Sequence, residues 1–263
     1  MGIEEEHPMK RWIIKIVFVM VICNIMPLSS VEGKSDSFWK FGKDKKQARV
    51  MAVFVDMSGS TNKARRTVYR NAFDKIMENL QDGDRIVIGT ITGRSFIDFK
   101  PAVDVELPKQ SIWVNRITYE QNQAKAKKKI NNAVEYLLST KRGTSHTEII
   151  NSLNIADRIF HNEKKRQKIL VILSDMIQDS REYRFDRIKV SDTFTEKIIK
   201  KRKKQDLIPN LQTVKVYVAG ASAANTKKFR SIEKFWKRYF AACGANFSKH
   251  RYGHTLLEFE NET

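Results

Sequence analysis

The sequence predicts an α/β fold: a doubly wound, mostly parallel central sheet flanked by helices, behind an N-terminal signal segment. Three observations carry this. Short apolar runs alternate with stretches of helical periodicity, which is the pattern of a parallel sheet built by crossover connections. The runs RVMAVFVD and QKILVILSD are apolar at nearly every position instead of alternating, as strands covered on both faces must be. Both stop at an aspartate, Asp56 and Asp175.

Val50–Val55 is the first strand. KARRTVYRNAFDKIMENL follows, with Val68, Phe73, Ile76, Met77 and Leu80 at helical spacing and QDGD to stop it. Arg85–Thr92 is a second strand, and SFIDFKPAVDVEL a third, where Pro101 marks an edge. Glu120–Thr140 is a long helix. RGTSHT turns into another, EIINSLNIADRIFHNE, before the strand that ends at Asp175. Thr213–Gly220 is a further strand and NTKKFRSIEKFWKRYFAACG a helix, whose Phe235, Trp236, Tyr239 and Phe240 form a core-facing stripe. HTLLEFE reads as a last short strand. The basic stretch at about 176–212 is long for a loop and holds a helix near Asp192–Gln205. It reads as an insertion into the domain, either beside the site or as a solvated helix.

The 263 residues suffice for one domain of roughly 200 residues plus extras. Lys10 and Arg11 precede WIIKIVFVMVICNIMPL, Trp12–Leu28, which is apolar but for Lys15 and Asn24; SSVEGK follows. A basic start, an apolar centre and a small-residue exit describe a secretory signal over residues 1–33, with an uncleaved anchor at residues 12–28 as the alternative. Residues 34–47 are a polar linker, and 48–260 the domain. The chain's net charge is +19; losing residues 1–33 removes three bases and four acids and leaves +20. Such a charge attracts acidic proteins or an anionic membrane surface, and export argues against nucleic acid as the partner. Cys243 is the one cysteine beyond that segment, so no intrachain disulfide forms there.

In an open parallel sheet, ligands gather at the carboxyl ends of the strands. Asp56 and Asp175 both lie there, with Ser58 and Ser60 in the DMSGS turn and Thr144 in GTSHT. This is a set of hard oxygen donors with no thiolate or imidazole in the DMSGS turn. It suits Mg²⁺, with Mn²⁺ or Ca²⁺ as competitors. The alternate spacing of Asp56, Ser58 and Ser60 lets a tight turn aim all three oxygens one way, and Gly59 permits close backbone approach. The bland alternative is that Asp56 and Ser58 only cap the following turn and helix.

DMSGS matches the DxSxS motif of von Willebrand factor type A (VWA) domains. GTSHT is similar to their second-loop threonine segment and ILVILSD to the strand bearing their third-loop aspartate, in the same order over roughly residues 48–260. The resemblance extends to exported bacterial members of the family. It implies a metal ion-dependent adhesion site (MIDAS) of Asp56, Ser58, Ser60, Thr144 and Asp175, whose coordination an acidic group of a partner protein completes. It also implies a binding module, not an enzyme, in the bacterial periplasm or envelope. Two other functions are open. A metal-assisted hydrolase would need a base, for which His146 is the candidate. An envelope-associated structural protein would bind anionic lipid or polymer through its basic segment. GxSxG, HExxH, Walker and GxGxxG motifs are absent, and His250 and His254 read as surface residues.

Overall fold

The computed structural model describes residues 47–58, 61–140, 146–256 and 259. The chain divides into Met1–Lys45 and Lys46–Thr263, and every described residue belongs to the second unit. The expected signal or anchor and nearly all of the linker thus lie outside the described residues, as do Gly59, Ser60 and Thr144.

The strands are β1 (Arg49–Asp56), β2 (Arg85–Ile91), β3 (Val103–Glu106), β4 (Gln167–Leu173), β5 (Lys215–Ala219) and β6 (Asn246–Gly253). The helices are α1 (Lys63–Asn79), α2 (Ser95–Asp98), α3 (Arg116–Ser139), α4 (Ile149–Phe160), α5 (Asp192–Lys204) and α6 (Thr226–Ala242). The sheet order is β3-β2-β1-β4-β5-β6, parallel except for β3, which runs antiparallel to β2 at the edge.

β1 is buried along its whole length, and its pleat sorts it into two cores. Val50, Ala52 and Phe54 join residues of α4, α5 and α6 on one face. Met51, Val53 and Val55 join residues of α1 and α3 on the other. β4 repeats the division, with Leu170 and Ile172 on the first side and Ile169, Val171 and Leu173 on the second. This is why both strands read as unbroken apolar runs.

Three expectations need correction. SFIDFKPAVDVEL is not one strand: Ser95–Asp98 is a helical turn and only Val103–Glu106 pairs, since Pro101 precedes a short edge strand. α3 begins at Arg116, four residues before Glu120, because Asn115 caps it by accepting a hydrogen bond from the Ile117 amide (2.8 Å). The last strand is Asn246–Gly253, upstream of HTLLEFE; its pairing with β5 shifts register between Val216 and Val218, and such a bulge hides the alternation a strand would show. Leu256 and Phe259 are buried without being strand residues.

The basic stretch 176–212 supplies α5, the crossover that a parallel β4–β5 pair requires. Its apolar residues are packed, while Lys200, Lys201, Lys203 and Lys204 stay exposed: Phe185 is fully buried, with its ring centroid 4.6 Å from that of Phe235, and Ile198 is buried with it. The α6 stripe faces this core, as its spacing predicts.

At the amino ends of the strands a buried ion pair ties β1 to β2. The carboxylate of Asp84 accepts from the Arg49 amide (2.7 Å), from Arg49 Nη2 (2.6 Å) and from the Gln81 amide (2.9 Å).

Candidate metal centre

The strand order reverses between β1 and β4: one half of the chain builds outward through β2 and β3, the other through β5 and β6. Ligands gather at such a switch point. Asp56 ends β1, and Asp175 follows β4 by two residues.

Asp56 is fully buried. Its Oδ1 accepts from the Ser58 amide (2.9 Å), and its Oδ2 accepts from the Ser174 hydroxyl (2.8 Å). Thr61 closes the turn by donating through Oγ1 to the Asp56 carbonyl (3.0 Å) and through its amide to the Ser58 carbonyl (2.9 Å). Asn62 then caps α1, accepting from the Arg65 amide (2.9 Å), so the helix N-terminus starts directly behind the loop.

Asp175 is nearly as buried. Its Oδ1 accepts from the Ile177 amide (2.9 Å) and its Oδ2 pairs with Arg65 Nη1 (3.0 Å). Burial first, and then the Asp56 charge, push its carboxyl up to about 6, against the opposing pull of Arg65. Two carboxylates thus share a dry corner of the sheet, with the Arg65 guanidinium as a neighbouring cation. This excess of buried negative charge, with Ser58 on the same turn as Asp56, suits a divalent cation with oxygen ligands. Among the described residues, no group of three His, Cys, Asp or Glu side chains is placed to hold a metal, so hydroxyls must complete any such site.

Residues that the motif does not name support the aspartates. The Ser174 hydroxyl donates to Asp56 and accepts from the Met176 amide (3.0 Å). Met176 has φ 66°, in the left-handed region that costs a non-glycine residue roughly 1–3 kcal/mol, and its carbonyl accepts from Trp236 Nε1 (2.9 Å). Gly220, φ 94°, sits against this turn: a Cβ there would lie 2.9 Å from Tyr69 Cε1 and 3.2 Å from the Ser174 carbonyl oxygen. Ser174 was visible only as the last polar letter before Asp175, and Trp236 was legible as part of the core stripe but not as a support of this turn.

The structure brings together Asp56, Ser58 and Asp175 of the five expected ligands; Ser60 and Thr144 lie outside the described residues. His146 Nδ1 lies 3.4 Å from Asp179 Oδ2, and Asp179 is also paired with Arg184. His250 and His254 are exposed.

No protein-family model matches the chain, and no curated protein matches it. Solved structures do. A von Willebrand factor type A structure from Catenulispora acidiphila is 14% identical, with TM-score 0.39, over 75% of this chain and 43% of that one. The manganese-loaded TRAP protein of Plasmodium vivax is 13% identical, with TM-score 0.42, over 79% of this chain and 68% of that one. Proximal thread matrix protein 1 from the mussel byssus, with a zinc-occupied MIDAS motif, is 13% identical, with TM-score 0.36, over 75% and 48%. The chain therefore spans less than half the length of the first and third of these. The chain is similar to von Willebrand factor type A domains, and the likeness is one of fold.

Proposed function

We propose that this domain is a metal-dependent binding module of the VWA type, in which Asp56, Ser58, Ser60, Thr144 and Asp175 hold Mg²⁺, with Mn²⁺ or Ca²⁺ as substitutes. The observation that carries this reading is the burial of Asp56 and Asp175 side by side at the switch point, with Ser58 on the same turn. When bound, the ion supplies an electrophilic position for one more anionic ligand, a carboxylate of an acidic partner protein. The chain's own residues orient that position: Ser174 and the Ser58 amide fix the Asp56 carboxylate, and the Ile177 amide and Arg65 fix Asp175. The basic surface steers the acidic partner toward it. The proposed location is the envelope of a bacterial cell. Among the described residues no helix is long and apolar enough to cross a membrane.

The test is a calorimetric titration of Mg²⁺, Mn²⁺ and Ca²⁺ into the full chain and into Asp56→Ala. Saturable binding to the parent and none to a folded Asp56→Ala variant is the expected result. Equal binding to both would place the ion elsewhere and overturn the reading.

A further inference from the structure

The pole opposite the metal centre carries an apolar turn with no counterpart in the core. Ile112 is 92% exposed, Trp113 89% and Ile117 65%, with Val114 beside them. These side chains sit on a built turn. The Val114 amide donates to the Ser111 carbonyl (3.1 Å) and the Trp113 amide to the Ser111 hydroxyl (3.3 Å), while Asn115 caps α3 behind them. The base of the turn is anchored to the α1–β2 connection, where the Asp82 carboxylate accepts from the Gln110 amide (3.4 Å) and from Gln123 Nε2 (3.0 Å). A soluble surface gains nothing by holding an indole and two isoleucines outward on a rigid turn.

Its place in the fold identifies its partner. β3 is antiparallel, so Glu106 pairs with Arg85, the first residue of β2, and the turn that follows lies at the amino ends of the parallel strands. Gln47, where the chain leads into β1, belongs to the same pole. Its side chain donates to the Lys165 carbonyl (2.9 Å), Arg166 Nε donates to the Gly83 carbonyl (3.2 Å), and the Lys109 stem lies across Gly83. Lys109, Lys164 and Lys165 are exposed and, among the described residues, have no ion-pair partner. The nearby acids are occupied: Glu163 by Arg85 and Arg166, Glu106 by Arg166, and Asp82 by the hydrogen bonds above. Eighteen residues separate Gln47 from Leu28, the end of the apolar stretch. Extended, they span at most about 60 Å, so a membrane holding residues 12–28 is within reach of this pole.

We propose that the Ile112–Ile117 turn is a membrane-docking wedge: Ile112, Trp113, Val114 and Ile117 enter the interface of an anionic bilayer while the surrounding lysines meet its headgroups. Trp suits this depth because its ring is apolar and its N–H wet, and lysines near an anionic surface add to the attraction. The consequence is orientation. The metal centre, at the other end of strands about 26 Å long, faces away from the bilayer toward a partner.

The test uses the full chain with Trp12→Phe and Trp39→Phe, leaving Trp113 and the buried Trp236 as fluorophores. Because the apolar stretch 12–28 can hold the chain on a vesicle by itself, the readout is Trp113. The protein is added to phosphatidylcholine vesicles with and without phosphatidylglycerol, each with brominated or ordinary acyl chains. The expected result is a blue shift and bromine quenching on anionic vesicles, absent when Trp113→Phe is added, with the melting temperature unchanged. Vesicle-bound protein without quenching of Trp113 would overturn the proposal. So would equal quenching on purely zwitterionic vesicles, or a vesicle-free dimer that Trp113→Ser dissociates, which would assign the turn to a second copy.

Discussion

Trp236 Nε1 donates a hydrogen bond of 2.9 Å to the carbonyl of Met176, the residue directly after Asp175. Both residues are fully buried, and Met176 is held at φ 66°. The aromatic face of α6 therefore does more than fill a core: it pins the turn that presents a proposed metal ligand. Trp236→Phe keeps most of the volume and leaves the Met176 carbonyl unpaired. The expected cost is about 1–3 kcal/mol in urea unfolding, together with weaker Mg²⁺ binding in calorimetry. Unchanged affinity in a destabilised variant would limit the indole to packing.

The Asp175 carboxyl sets a pH dependence. Its value rises from 3.8 to about 6 on folding, so the folded state takes up the proton more readily than the unfolded chain. This contribution is fully present below pH about 4 and is lost as pH rises through about 6, by about 3 kcal/mol in total. It is read as the difference between wild type and Asp175→Asn, in chelator, from pH 4 to 7. Saturating Mg²⁺ favours the ionised form and is expected to shrink the difference. A difference that does not vary with pH would show that Asp175 keeps an ordinary carboxyl.

Arg65 lies 3.0 Å from Asp175 Oδ2 and within 3.4 Å of the Ser222 hydroxyl, where its charge competes with any divalent ion. Arg65→Ala is expected to destabilise the metal-free protein and to tighten Mg²⁺ binding about tenfold, since a partly buried charge-assisted contact no longer opposes the ion. Weaker binding in the variant would instead make Arg65 a positioning residue for Asp175.

Cys243 closes α6 in a buried environment, and burial pushes its thiol up to about 12. The thiolate is the reactive form. Peptide mapping after alkylation at pH 8 is expected to find Cys243 unmodified in the native protein and modified in denaturant. Labelling without denaturant would reveal opening of the α6–β6 connection.

The Arg49–Asp84 pair binds the amino ends of β1 and β2, and both side chains are nearly inaccessible. Asp84→Ala strands the guanidinium and two backbone amides, with an expected loss of roughly 3–5 kcal/mol in urea unfolding. A loss below 1 kcal/mol would mean that water reaches the vacated site.

The chain alone was enough to read β1, β4, α1, α4 and the ends at Asp56 and Asp175. Each rests on local signals: uninterrupted apolar runs, helical spacing and a polar stop such as QDGD. The contact from Asp56 to Ser58 is local for the same reason, since Asp56 accepts from an amide only two residues away. What lay beyond reach depends on distant partners. The true β6 is polar and bulged, and only the β5 edge makes it a strand. Stretch 176–212 read as an insertion because it is long for a loop and strongly basic; that its Phe185 and Ile198 are buried against α6 depends on a surface distant in sequence. Ser174, Arg65 and Trp236 join the site from separate elements, and Ile112 and Trp113 become conspicuous only when the folded chain leaves them uncovered. Local periodicity records which residues must be buried, whereas packing decides against what, and so which polar groups meet and which apolar ones are left for a partner.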